Sequence, residues 1–210
     1  MLTVNALAHL RPYLYHLTAA ENISRIQRTR RLNSAAQLFE AAGRPDLIRV
    51  RRRQHERVHV EGEQIVIRDQ APLHRGNVGL EPEWEFEDLI AMLNRQVFFW
   101  PGGPLSPIAY GVRHFERYGS EDTRIIRVPL VDLVAVNDSH EPHVCRYNSG
   151  SPRCNGGRPS PRSANTFVPL SRSELRPGQV VEVTLSPSAD LPLTAVVTQS
   201  LSADWEPLFR

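Results

Sequence analysis

The chain has 210 residues, a formal net charge of +2 and 40% hydrophobic residues, which fits one large domain with a sizeable core and long polar loops. That charge excludes a bulk polycation. Two cysteines, Cys145 and Cys154, are too few for a disulfide scaffold, and no run of about 18 apolar residues offers a membrane span. All 25 basic residues are arginines, whose planar forks suit phosphates and carboxylates, although a GC-rich genome explains the same bias. The N-terminus, MLTVNALAHLRPYLYHLT, lacks a charged segment followed by a continuous apolar run, so no signal peptide is expected and a cytoplasmic location is the default.

In chain order, Leu14 to Thr18 reads as a short strand, and Thr18 with Glu21 has capping-box spacing for a helix striped by Ile23 and Ile26. A second box, Ser34 and Gln37, opens a helix that ends at Gly43. Residues 44 to 57 are strongly basic. RVHVEGEQIVIRDQ has the alternation of a hairpin turning at Glu61-Gly62. Pro82 is expected to open a helix carrying Trp84, Phe86, Leu89, Ile90 and Leu93. VFFWPGG reads as a strand from Val97 to Trp100, TRIIRVPLVDLVAV as a strand region from Thr123 to Val136, and QVVEVTL and LPLTAVVTQ as two more strands. Residues 137 to about 166 form a Pro-, Gly- and Arg-rich loop. With no repeat or linker, the chain reads as a single domain over 1–210. Its element order makes it α+β rather than alternating βαβ, and it has no Gly-rich phosphate loop.

Several residues could carry chemistry. Glu182 interrupts the apolar strand VVEVTL, so it faces a cleft, meets an arginine, or is an ordinary exposed strand residue. His16 and Thr18 share one strand face and could bond a ribose or an amide, or could simply be a packed His beside a capping Thr. The aromatics of VFFWP could stack on a base or fill a core. Arg51 to Arg53 could contact phosphates or be a solvated face. Arg68 could pair with a pyrophosphate or with Glu182. Ser149 and Ser151 sit in NSGS with no Ser-His-Asp arrangement. The spacing of His140, His143, Cys145 and Cys154 matches no common zinc module, so no metal is expected.

Taken in order, these segments point to one family. LYHLTAAENISRI resembles the opening of ADP-ribosyltransferases of the diphtheria-toxin-like, poly(ADP-ribose) polymerase and DarT kind: a His on a strand, then a helix with an N-I-x-x-I-like pattern. VFFWPGG resembles their middle strand and VVEVTLSPSADLP their late strand with the catalytic Glu. The whole chain also resembles an uncharacterised bacterial family with the phrases YHLT, VFFWPG, YNSGSPR and VEVT. There are departures. TRRL (Thr29 to Leu32) stands where the family closes its first helix with Gly, the middle strand has no Tyr, and the positioning arginine is either Arg53 or Arg68.

The resemblance implies a split antiparallel β-sheet core with helices packed around it, and NAD as co-substrate. Glu182 would be catalytic, stabilising the oxocarbenium-like sugar as the nicotinamide bond breaks. His16, Thr18, Asn22, Arg53 or Arg68, and Phe99 or Trp100 would bind NAD. Arg51, Arg146, Asn148 and Ser149 would bind an acceptor. That acceptor could be DNA or another nucleic acid, as in a toxin or defence enzyme with an antitoxin or immunity partner. The alternatives are a non-catalytic nucleotide- or nucleic-acid-binding module, and an NAD glycohydrolase or RNA 2′-phosphotransferase-like enzyme.

Overall fold

In the computed structural model, which describes residues 1–152 and 160–209, side-chain caps and turn residues fix the element boundaries. Thr3 accepts from the Ala6 N–H and opens α1 (Val4–Leu10), and β1 (Tyr13–Ala19) follows. A 3-10 turn, Ala20–Asn22, leads into α2 (Ile23–Thr29). The expected box at Thr18 does not form. Thr18 stays on the strand, and its hydroxyl accepts from Asn22 instead. α2 ends on Arg30 at φ 53, so an arginine takes the left-handed position that glycine would fill without strain. β2 (Arg31–Asn33) and α3 (Ala35–Ala41) follow, with the Ser34 hydroxyl accepting from the Gln37 N–H; the other half of the expected box is absent, because the Ser34 N–H donates to the Pro187 carbonyl.

β3 (Glu56–Val60) and β4 (Glu63–Ile67) make the hairpin, with positive φ at both Glu61 and Gly62. α4 (Phe86–Asn94) starts four residues later than Pro82, because Glu85 and Asp88 form the capping box. β5 (Val97–Gly102), α5 (Ala109–Arg117) and β6 (Thr123–Pro129) come next. The expected strand from Thr123 to Val136 is half helix: α6 (Leu130–Val136) buries Leu130 and Leu133, and Asp132 points outward to the Thr194 hydroxyl. The long loop holds β7 (His143–Cys145). β8 (Val168–Pro169), β9 (Glu182–Leu185), β10 (Ser188–Asp190), β11 (Val196–Thr198) and β12 (Glu206–Pro207) complete the chain.

The protein is α+β. Its main sheet is antiparallel, in the order β12-β11-β6-β1-β5-β9-β7-β8, with six α-helices around it among the described residues. β5 serves two neighbours in succession. Val97 to Phe99 pair with β9, and Trp100 to Gly102 pair with β1. The sheet therefore splits along β5, because β1 and β5 stop pairing at Tyr15↔Trp100. One side of the sheet is filled by Leu14, Phe99, Ile126, Val128, Val183 and Leu185, all nearly fully buried. The hairpin β3–β4 packs separately on α3 through Val58, Val60, Ile65 and Phe39. No helix among the described residues is long and apolar enough to cross a membrane.

Candidate functional site

The fork in the sheet opens a cavity of about 350 Å³. β1, β5 and β9 supply its floor, the hairpin end and α5 supply walls, and the 148–151 turn borders Glu182. His16, Thr18, Asn22, Arg68, Trp100, Asn148, Ser149 and Glu182 all line it. Three of these come from strands that are hydrogen-bonded in sequence across the sheet: His16 on β1, Trp100 on β5 and Glu182 on β9.

At the fork, where backbone pairing stops, His16 Nδ1 lies 2.9 Å from the Phe98 carbonyl oxygen. A carbonyl only accepts, so Nδ1 carries the proton and Nε2 keeps its lone pair. Burial pushes the His16 pKa down to about 4, with a further push from Arg68. The imidazole is therefore neutral at physiological pH.

Glu182 is 3% exposed, and both its oxygens accept from the Ser149 backbone N–H at 3.2 Å. Burial raises its pKa to about 7, against the opposing effects of the Ser149 bonds and the Arg162 charge. A carboxyl poised near neutrality can hold or release a proton, as acid-base work requires.

Arg68 leaves β4 at the other side of the cavity. Its guanidinium lies 4.3 Å from the Tyr118 ring centroid and donates to the neutral His114 Nε2, while Nη1 is buried without a partner. Burial lowers the pKa of Arg68 and, with the Arg68 charge, drives that of His114 to about 2. A buried cation with an open donor and no carboxylate bonded to it suits an anionic ligand.

Other expected site residues lie elsewhere or do other work. Arg53 is exposed and lies outside the cavity lining, which leaves Arg68 as the arginine of the pair at the site. Arg51 does not face the cavity either; it bonds the carbonyls of Gln70 and Ala71. Arg146 is exposed on a second groove, beside Trp84 and Arg172. Phe99 is 1% exposed and belongs to the core on the opposite face from Phe98 and Trp100. Asn22 lines the cavity as a strap: its amide donates to the Val66 carbonyl and accepts from the Val66 N–H, holding the hairpin to α2.

Most of the basic 44–57 segment is internally satisfied, through Arg44–Asp46, Arg49–Asp88, Arg57–Glu21 and the buried Arg52–Asn94 bond. Cys154 lies outside the described residues. Among those described, no cluster of His, Cys, Asp or Glu could hold a metal ion.

Phe98, His114, Tyr118 and Arg162 were not anticipated. Strand alternation alone pairs Phe98 with Trp100 on one face, so that signal was present. His114 and Tyr118 arrive on α5 and just after it, a helix with few apolar residues to mark it.

A model of a family of unknown function, DUF7002, matches residues 12–195, which include all three motif strands. No curated protein matches the chain.

Proposed function

The chain belongs to the family of unknown function DUF7002, and from that premise we propose that it is an NAD-dependent mono-ADP-ribosyltransferase. The observation that carries this reading is the meeting of His16, Trp100 and Glu182 in one cavity, from three adjacent strands. The His, aromatic and Glu segments that resemble ADP-ribosyltransferases in sequence thus converge in space. The chemistry of the cavity supports the same reading.

The residues fit a dinucleotide with a pyrophosphate. The open Nη1 of Arg68 offers a desolvated cation for a phosphate oxygen, and the neutral His16 offers an acceptor at Nε2 for a ribose hydroxyl or an amide N–H. Trp100 and Phe98 form the aromatic wall. Glu182 would accept from the ribose and stabilise the positive charge that develops on the sugar. A cationic substrate favours its ionised form, so binding should release the proton that burial retains. The carboxylate so formed would in turn be positioned to take the proton from the acceptor as the new bond to the sugar forms.

The test is incubation with labelled NAD and separate pools of DNA, RNA and protein. Label should move to one pool and be lost in Glu182→Gln, with NAD still bound; His16→Ala should weaken NAD binding. Free ADP-ribose without label on any pool would identify a glycohydrolase. Near-normal turnover in Glu182→Gln would remove this carboxyl from the mechanism.

A further inference from the structure

The geometry points to Arg162 as the positioning residue for Glu182, acting by holding the 148–151 turn whose Ser149 N–H meets both carboxylate oxygens. Arg162 has no exposed surface. Its guanidinium donates to four backbone carbonyls: Ser160, Asn148 at 3.5 Å, Ser149 at 3.4 Å and Ser151. The Tyr147 ring covers it at 4.8 Å. Its own backbone is anchored on both sides, with its N–H donating to Gly79 and its carbonyl accepting from Glu81, each at 3.0 Å. One side chain thus holds three carbonyls, of Asn148, Ser149 and Ser151, in the turn that carries the donor to Glu182.

A buried guanidinium bonded to carbonyls is an expensive way to fasten a loop if packing is the sole purpose. Its charge also acts on Glu182, where it opposes the effect of burial and favours the carboxylate. Among the titratable groups on the elements around Glu182 are the Cys145 thiol, opposite it on β7, and His16, Arg68, Asp69, His114 and Arg117 on the cavity lining. His16 is neutral, and Cys145 carries no positive charge in either form. Of the cations, Arg162 is the one whose charge acts on the Glu182 carboxyl, so it supplies both the geometry and a stabilising charge.

This inference rests on the reading of Glu182 as the reacting carboxyl, so its test is chosen to stand without activity. The Glu182 carboxyl is titrated by 13C NMR in glutamate-labelled protein, with Glu182→Gln identifying the signal. The midpoint should lie near 7 in the parent. It should move upward by about one pH unit in Arg162→Met, where the charge is gone. In Arg162→Lys it should move less, because the charge stays but the fork is lost.

Nicotinamide release should show the same ordering, with kcat at pH 7 falling and KM little changed. An unmoved midpoint in a folded Arg162→Met protein, with only thermal stability reduced, would make Arg162 a loop fastener and nothing more. If Arg162→Met does not fold, Arg162→Gln, which also removes the charge, decides: an unmoved midpoint overturns the assignment. Parent protein that titrates as described but releases no nicotinamide would sink the transferase reading and leave the positioning role standing.

Discussion

Glu182 is held against its own solvation preference. Its carboxyl is buried and protonates near pH 7, whereas in the unfolded chain it would titrate near its ordinary value of 4.5. A group with a raised folded pKa contributes stability that is complete below the unfolded value and is lost as pH rises through the folded one. Above about pH 7 the folded protein therefore carries a buried charge that Ser149 and Arg162 offset in part. Glu182→Gln should stabilise the protein at pH 8 by on the order of 2–3 kcal/mol and have little effect at pH 4.5. Urea unfolding of both proteins at the two pH values measures this, and equal stabilities at pH 8 would show that the charge is not strained. Residues at this scale were partly legible. A Glu inside an apolar strand marks itself, since it must face a cleft or find a partner. Arg68 was not separable from Arg53, because composition carries no information on which guanidinium is buried.

At the scale of elements, α5 shows how a helix that the sequence hardly announces can shape the site. Its Gly111 faces Trp100: a Cβ added there would lie 2.8 Å from the Trp100 Cβ and Cγ and from the Pro107 Cβ. These atoms sit at the root of a side chain and on a proline ring, so neither can swing away. Gly111→Ala should cost about 1–3 kcal/mol through overpacking. It should also displace His114, which sits 5.6 Å from Trp100 between ring centroids, and so raise the KM for NAD more than the loss of stability alone would. Unchanged thermal stability and KM would mean that α5 has slack against β5. α6 teaches the complementary point. Its run of leucines and valines after Pro129 fits both a strand and a helix period, and packing of Leu130 and Leu133 decides for the helix.

Across the whole molecule, the cavity sets the pH response of the fold. His16 and His114 have depressed pKa values, about 4 and about 2. A depressed folded pKa gives stability that is present above the unfolded value of 6.5 and is lost as pH falls through the folded value. Glu182 works in the opposite direction between 4.5 and about 7. Two imidazoles outweigh one carboxyl, so on these three groups the stability maximum falls roughly at pH 7, with a net decline toward acid. The urea midpoint measured from pH 4 to 9 checks this. In His16→Gln the acid decline should be shallower, and an identical slope would remove His16 from the account.

The sequence by itself determined the β1, β5 and β9 strands, the hairpin turn at Glu61-Gly62 and the α+β class, because alternation, capping residues and positive-φ turns are local properties. It also marked Glu182 as an unusual occupant of an apolar strand, and offered His16 and either Phe99 or Trp100 as candidates. The tertiary structure alone decided that these three residues share one cavity, since that follows from β5 pairing with β9 along one half and with β1 along the other. It likewise decided which face of VFFW looks into the cavity, which of Arg53 and Arg68 lines it, and that a residue 20 positions before Glu182 holds the turn against it. Those outcomes depend on long-range pairing and desolvation, which no stretch of neighbouring residues encodes.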